Sequence, residues 1–416
     1  MNKTPFHRNV IITGITSFFT DVSSEMVYPL LQAFVTMIMA AHTAFLGPAL
    51  GVIEGISEST ASLLKVFSGY YSDKLANRKI PAMAGYALSA MAKLLLLAAG
   101  VGWWFVLLAR FFDRVGKGVR SAPRDALIAE STSEEYRGRA FGLQRSMDFA
   151  GAFCGVLLCY FLVRHYIDPV AGTLKSIGAF FRIFIISVIP AFIGVAVLLF
   201  LRENHAKPPL AANQARRGPD FDVRKYDKNL QVFFLVQLLF TLGNSSNQFL
   251  LLRSMDLGFS LSTVILMYML FNLTSAALGT FFGSLSDRIG RKAVLATGYG
   301  LYGIVYGAFG FVTHQSNRFL WGFWALYGIF YALTEGVEKA FVAELAPTRS
   351  KATALGFSHT IVGICLLPAS LIAGALFAVS PAAPFLFGSA MSLLALGVMV
   401  TRIPSSIPAR RAHAAK

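Results

Sequence analysis

The stretch Gly283–Lys292 reads G-S-L-S-D-R-I-G-R-K and lies between two long apolar runs, Phe259–Phe282 and Ala293–Val312. A second version occurs at Gly69–Lys79, G-Y-Y-S-D-K-L-A-N-R-K, placing Gly69 and Gly283 at an offset of 283 − 69 = 214 positions. The same offset carries Ile128-Ala129-Glu130 onto Val342-Ala343-Glu344, Arg137 onto Lys351, Ala140 onto Ala354 and Gly142 onto Gly356. A repeat of this size divides the chain into two related halves, each with the same order of elements.

The halves are too apolar for water. Hydrophobic residues make up 55% of the 416 positions and charged ones 14%, against about 25% charge in a soluble domain. Many runs reach the ~20 residues that a helix needs to cross a bilayer. They are continuous rather than alternating, which excludes a β-barrel. The expectation is an all-α polytopic membrane protein with twelve transmembrane helices. The spans fall at 9–37, 44–69, 80–100, 103–129, 139–164, 179–201, 229–253, 259–283, 293–313, 319–344, 352–378 and 382–402. The first, second and fourth hold enough charge for hydropathy alone to miss them, but the repeat requires six per half. This predicts an N-terminal half at 1–201, a linker at 202–228, a C-terminal half at 229–402 and a tail at 403–416. The linker, with Pro208, Pro209 and Pro219 among many charges, is too polar to pack a core.

The net charge of +16 does not require nucleic acid. Most Lys and Arg fall in segments that would share one side of the membrane, whereas Arg164, Lys175, Arg182, Arg253 and Arg318 fall on the other. That asymmetry is the positive-inside pattern, and it places the basic loops, the linker and both termini on the cytoplasmic side of an inner membrane. The first apolar run has no small-residue cleavage site after it and is expected to be a retained helix.

No cofactor or metal is expected. Cys154, Cys159 and Cys365 sit in apolar runs as small packing residues, and the seven histidines are scattered. Val115-Gly-Lys-Gly118 fails as a phosphate-binding loop, because Phe111 stands where Gly is needed and Gly118 where Ser or Thr is needed. No nucleophile elbow or zinc-peptidase pattern occurs, so the chain is not expected to be an enzyme or to draw on ATP.

Charges inside the predicted spans are the main chemical signal. Arg110, Asp113, Arg114, Lys117, Arg120 (or Ser121) and Arg124 recur every three or four residues along one face of the fourth helix. Each charge costs ~2.5–3.5 kcal/mol at the bilayer centre, so the stripe must face protein or a water-filled gap. Asp21 and Glu25 share a face of the first helix, and Glu54 and Glu58 a face of the second; the fifth adds Arg145 and Asp148. Two readings stay open. An acid such as Asp21 or Glu25 takes up a proton when its partner swings away, or the charges form a permanent network that sets helix register. The second half is milder, with Thr241, Asn244, Ser245 and Gln248 on the seventh helix and Glu335, Glu338 and Lys339 on the tenth. The spacing of Glu335 and Lys339 predicts an i,i+4 pair.

The loop pattern resembles that of the major facilitator superfamily, G-x-x-x-D-R/K-x-G-R-R/K. Gly283, Asp287, Arg288, Gly290, Arg291 and Lys292 match throughout; the first copy keeps Gly69, Asp73, Lys74, Arg78 and Lys79 but has Ala76 and Asn77 where Gly and Arg are usual. The superfamily often carries an acid, a base and A-x-G after the fourth and tenth helices. Here Glu130, Arg137 and Ala140-Phe-Gly142, then Glu344, Lys351 and Ala354-Leu-Gly356, are similar. The resemblance implies two pseudo-symmetric six-helix halves, alternating access, and a cavity lined by helices 1, 4, 7 and 10. It also implies that Gly69, Asp73, Arg78, Glu130, Arg137, Gly283, Asp287, Arg288, Gly290, Arg291 and Glu344 form cytoplasmic gates. Arg114-Val-Gly-Lys-Gly118 is similar to the R-x-x-x-G of proton-driven members, while Gly151-Ala-Phe-Cys-Gly155-Val156 lacks the proline of the antiporter pattern.

The resulting expectation is a monomeric secondary transporter in a lipid bilayer, moving a small organic solute with protons, by export. Its candidate cavity and coupling residues are Asp21, Glu25, Glu54, Glu58, Arg110, Asp113, Arg114, Lys117, Asn244, Gln248, Glu335 and Glu338. The excess of bases on helix 4 supports a second reading, proton-coupled import of an organic anion. A non-transporting receptor or lipid-handling protein is the reading of another class.

Overall fold

The structure is a computed structural model that describes residues 8–75, 78–132, 137–168, 174–202, 223–346 and 351–404. Twelve membrane-length helical spans follow one another. They are α1 (Arg8–Ile38), α2 (Leu46–Leu75), α3 (Lys79–Ala98), α4 (Trp103–Ser131), α5 (Arg137–Tyr166) and α6 (Ile177–Leu198). The second half repeats them as α7 (Lys228–Gly243 and Asn247–Asp256), α8 (Leu261–Ile289), α9 (Arg291–Phe311), α10 (Leu320–Leu345), α11 (Lys351–Val379) and α12 (Ala383–Arg402). The linker at 203–222 and the tail from 405 lie outside the described residues.

Each half packs by the same plan. In the first, α1 lies against α5 and α6, and α4 against α2 and α3; in the second, α7 lies against α11 and α12, and α10 against α8 and α9. This is the pseudo-symmetry that the offset of 214 predicts. Eight spans are apolar enough to be recognised by hydropathy; α2, α4, α7 and α10 are not. The first span, expected among the difficult ones, is recognised after all, because its charges sit in a sequence otherwise rich in Val, Ile and Phe.

Two spans are interrupted. In α1, Tyr28-Pro29-Leu30 forms a 3₁₀ turn, with Pro29 at a position that needs no helical N–H donor. In α7, Asn244 leaves helical geometry at φ −89, ψ 88, and Ser246 caps the second segment by accepting the Gln248 N–H at 3.3 Å. Gly290, between α8 and α9, adopts φ 97. A side chain is strained there, which explains the glycine in the second loop motif.

The halves meet most closely where α2 crosses α11. A Cβ on Gly47 would lie 2.5 Å from the Gly374 carbonyl oxygen, and one on Gly51 2.4 Å from that of Ser370. Only glycine lets the two backbones approach so closely. Toward the other end, glycines of α8 and α11 have space around them. A Cβ on Gly283 or Gly356 would meet nothing within 4 Å. The halves are therefore packed tightly at the end of the α2–α11 crossing, the closed end, and more loosely at these two glycines.

Candidate transport site

The α4 stripe faces protein, as the cost of bare charge in hydrocarbon demands. Its members take different partners. Arg110 donates to Glu54 Oε1 from Nε at 3.2 Å and from Nη2 at 3.0 Å. Glu54 is 1% exposed, so this fork neutralises a fully enclosed carboxylate. One turn on, Arg114 pairs with Glu58 at 2.9 Å. Arg120 turns toward α3, donating to Ser89 Oγ and lying 4.4 Å from the Tyr86 ring centre. Arg124 bonds to Asp125 at 3.0 Å and to Ser17 at 3.1 Å. Lys117 lies on the same stripe between Arg114 and Arg120, makes no ion pair among the described residues, and is exposed.

The Glu54–Arg110 pair reaches the other half through the interruption in α7. The Ser246 hydroxyl donates to Glu54 Oε2 at 2.8 Å, and Gln248 Nε2 donates to the Tyr28 carbonyl at 2.9 Å. Arg110 also lies 5.2 Å from the Tyr28 ring centre. The two helix interruptions thus face each other and form the polar floor of the closed end. Asn244 Oδ1 and Gln248 Oε1 remain buried without a partner.

Below this floor the two α1 acids behave differently. Glu25 accepts from the Tyr268 hydroxyl of α8 at 3.1 Å, a bond between the halves. Asp21 has no hydrogen bond or ion pair among the described residues; Asp148, Lys117, Arg120 and Glu25 are the charges around it. Neither acid pairs with the α4 bases. Between the halves, Arg145 of α5 meets Glu335 of α10 at 2.8 Å. The expected Glu335–Lys339 pair is not what forms: the closer opposite charge comes from the other half. Glu338 accepts instead from the Tyr299 hydroxyl at 2.6 Å.

Tyrosines hold the α7 interruption in place. Tyr302 donates to the Gly243 carbonyl at 3.0 Å, the Tyr306 and Ser245 hydroxyls lie 3.2 Å apart, and Tyr327 donates to Asn247 Oδ1 at 2.8 Å. A broken membrane helix leaves carbonyls that lipid cannot satisfy, and these hydroxyls answer them. Around them the aromatics are core residues: Tyr327 is fully buried and Phe240 nearly so.

The family model for the major facilitator superfamily matches residues 13–252 and again 233–416, one match for each half of the chain. The chain belongs to the major facilitator superfamily. An uncharacterised transporter of this type from Methanocaldococcus jannaschii is 37% identical over 403 residues, covering 94% of each chain. The cis,cis-muconate transport protein of Acinetobacter baylyi is 22% identical, covering 74% of this chain and 73% of its own. Among solved structures, a D-xylose-proton symporter superposes with a TM-score of 0.77 at 14% identity, over 96% of this chain and 98% of that one. The chain is thus a membrane transporter and not an enzyme.

As a superfamily member, it would carry gates in its loop motifs. Among those residues, Arg291 and Glu344 bond within their own half. Arg291 donates to Glu344 at 2.8 Å and to the Ala340 carbonyl at 3.2 Å. Arg288 is exposed. The side chains of Asp73, Glu130, Arg137 and Asp287, and the surroundings of Gly69, lie outside what is described. The motif lysines do something that sequence reasoning missed. Lys79 reaches the Leu201 carbonyl at 2.8 Å beyond α6, and Lys292 reaches the Ile403 carbonyl at 2.5 Å beyond α12. In both halves a lysine at the start of the third helix satisfies orphan carbonyls at the end of the sixth. The signal was the repeat itself, which aligns the two basic loops. Lys93, a buried base on α3, was also missed as a site residue; it bonds to Ser23 and Ser24 of α1.

Proposed function

We propose that the protein is a secondary transporter that carries a small organic solute by alternating access, driven by protons through the acids of α1. The observation that carries this is the bond between Glu25 and Tyr268. An acid of one half is held by a single hydroxyl of the other, so parting the halves changes its surroundings. Anything that binds the two states differently, a proton included, shifts their balance. Asp21, without a fixed partner and beside the exposed Lys117, is the second acid of this coupling. The Arg114-to-Gly118 pattern supports proton drive, and export is the direction that the resemblance to proton-linked efflux members supports. The positive-inside distribution supports an inner-membrane location with the motif-bearing end toward the cytoplasm. One protomer contains both halves of the site, which supports a monomer.

Import of an organic anion is the second reading. Lys117 supports it, since it is an exposed cation on α4 that forms no ion pair among the described residues. A relative named for cis,cis-muconate transport, itself a dicarboxylate, supports it too.

Purified protein in liposomes with an imposed proton gradient tests both readings, using labelled organic acids beside neutral and cationic drugs. Asp21→Asn and Glu25→Gln are expected to abolish gradient-driven accumulation and to preserve solute exchange. Unchanged pH dependence in both variants sinks the coupling, and no flux with any solute sinks transport.

A further inference from the structure

A cavity of about 30 Å³, lined by the N-terminal half alone, lies between α1, α3 and α4. Ser24 and Tyr28 line it from α1, Lys93 from α3, and Arg110 and Asp113 from α4. Lys93 is 5% exposed and sits where α3 tightens from α-helix to 3₁₀. Its ammonium uses two donors, one on Ser23 and one on Ser24. A third N–H is left. Asp113 Oδ1 is buried without a hydrogen-bond partner. Among the acids, Asp113 acts most strongly on Lys93, yet the two form no ion pair. Lys93, with a spare donor, and Asp113, with an orphan acceptor and the opposite charge, therefore both line the same small space. A water needs only ~10–15 Å³ of such space and two to four polar partners.

We propose that this cavity is an internal water site bridging Lys93 to Asp113. Lys93 is thereby a positioning residue for the polar floor of the closed end. Asp113 lies three residues after Arg110 and directly before Arg114, the two bases that neutralise Glu54 and Glu58. With its charge balanced through water by Lys93, Asp113 leaves both arginines to those glutamates. Without Lys93, Asp113, on which Arg114 already acts more strongly than any other charge, draws further on both arginines, and a buried charge that loses a partner is costly enough to rearrange its neighbours. Arg110 then withdraws from Glu54, and the cross-half bond of Glu54 to Ser246 loses its anchor. The inference concerns the closed end and holds whether or not protons drive transport.

The test uses detergent-purified full-length protein with Cys154, Cys159 and Cys365 replaced by serine. A reporter, Ser370→Cys, is placed on α11 at the α2 crossing. Lys93→Met is expected to raise maleimide labelling of the reporter by ~10-fold or more, in line with the cost of an unpaired buried charge. Lys93→Arg is expected to label like the parent, and adding Asp113→Asn to Lys93→Met is expected to restore parental labelling. Parental labelling in Lys93→Met, or a double variant that labels like Lys93→Met alone, overturns the proposal. If Lys93→Met does not fold, the double variant decides: parental labelling supports the charge balance, and failure to fold overturns it. A high-resolution map of the parent protein is expected to show density between Lys93 Nζ and Asp113 Oδ1. Direct contact of the two groups there overturns the water site.

Discussion

The Ser246 hydroxyl donates to the Glu54 carboxylate at 2.8 Å, joining a helix interruption in one half to a buried acid in the other. Opening the closed end must break this bond, while the Arg110–Glu54 fork can travel with its own half. Hydrogen bonds to charged groups contribute ~1.5–3 kcal/mol. Ser246→Ala is therefore expected to shift the balance between the two states about 10- to 100-fold toward opening at this end. Cysteine labelling along the α2–α11 crossing measures it, and parental labelling would remove Ser246 from the closure.

Close backbone approach at that crossing makes a steric prediction. A leucine at Gly51 would place its Cβ 2.4 Å from the Ser370 carbonyl, so Gly51→Leu is expected to force the closed end apart and stop transport. Gly283→Leu meets nothing within 4 Å in the present state. It is expected to leave labelling at the α2–α11 crossing unchanged. Equal labelling in the two variants would show that the crossing does not control closure.

Arg145 and Glu335 make an ion pair between the halves, with side chains 51% and 45% exposed. Solvent screens such a pair, and its coupling in a double-mutant cycle on thermal stability is expected below ~1 kcal/mol. Its effect is expected in turnover instead. Arg145→Glu slows transport, and Arg145→Glu with Glu335→Arg recovers it. A swap that fails to recover activity would assign the two residues separate roles.

The number and order of helices were legible because the chain repeats itself. Hydropathy alone misses α2, α4, α7 and α10, and the charges and polar groups that hide several of them are those that form the site. The α4 stripe was legible too, since its spacing leaves it one face. Its partners were legible only in part: Glu54 and Glu58 were visible as a pair, but Arg120 turns to an aromatic ring and a serine rather than to an acid. Contacts such as Glu25 with Tyr268, or Arg145 with Glu335, depend on how two separately folded halves dock. No local spacing encodes that. The α7 interruption did leave a trace, the turn-forming run Gly243-Asn-Ser-Ser246. Its continuous apolar flanks favoured reading it as one helix.

That interruption carries the last prediction. Tyr302 answers the Gly243 carbonyl, and Tyr306 bonds at Ser245. Both rings are fully buried and stack on each other with centres 4.0 Å apart, so phenylalanine keeps the packing and removes only the hydroxyl. Hydrogen bonds between membrane helices average ~0.6 kcal/mol and reach ~1.7. Tyr302→Phe and Tyr306→Phe are each expected to lower stability by about that amount in thermal unfolding. They share one helix interruption, so the double variant is expected to lose less than the sum. Each is also expected to slow transport by more than its stability loss explains, because Ser246 and Gln248 are positioned by the segment these hydroxyls hold. A stability loss with unchanged turnover would show that the interruption is structural and that the site does not depend on its geometry.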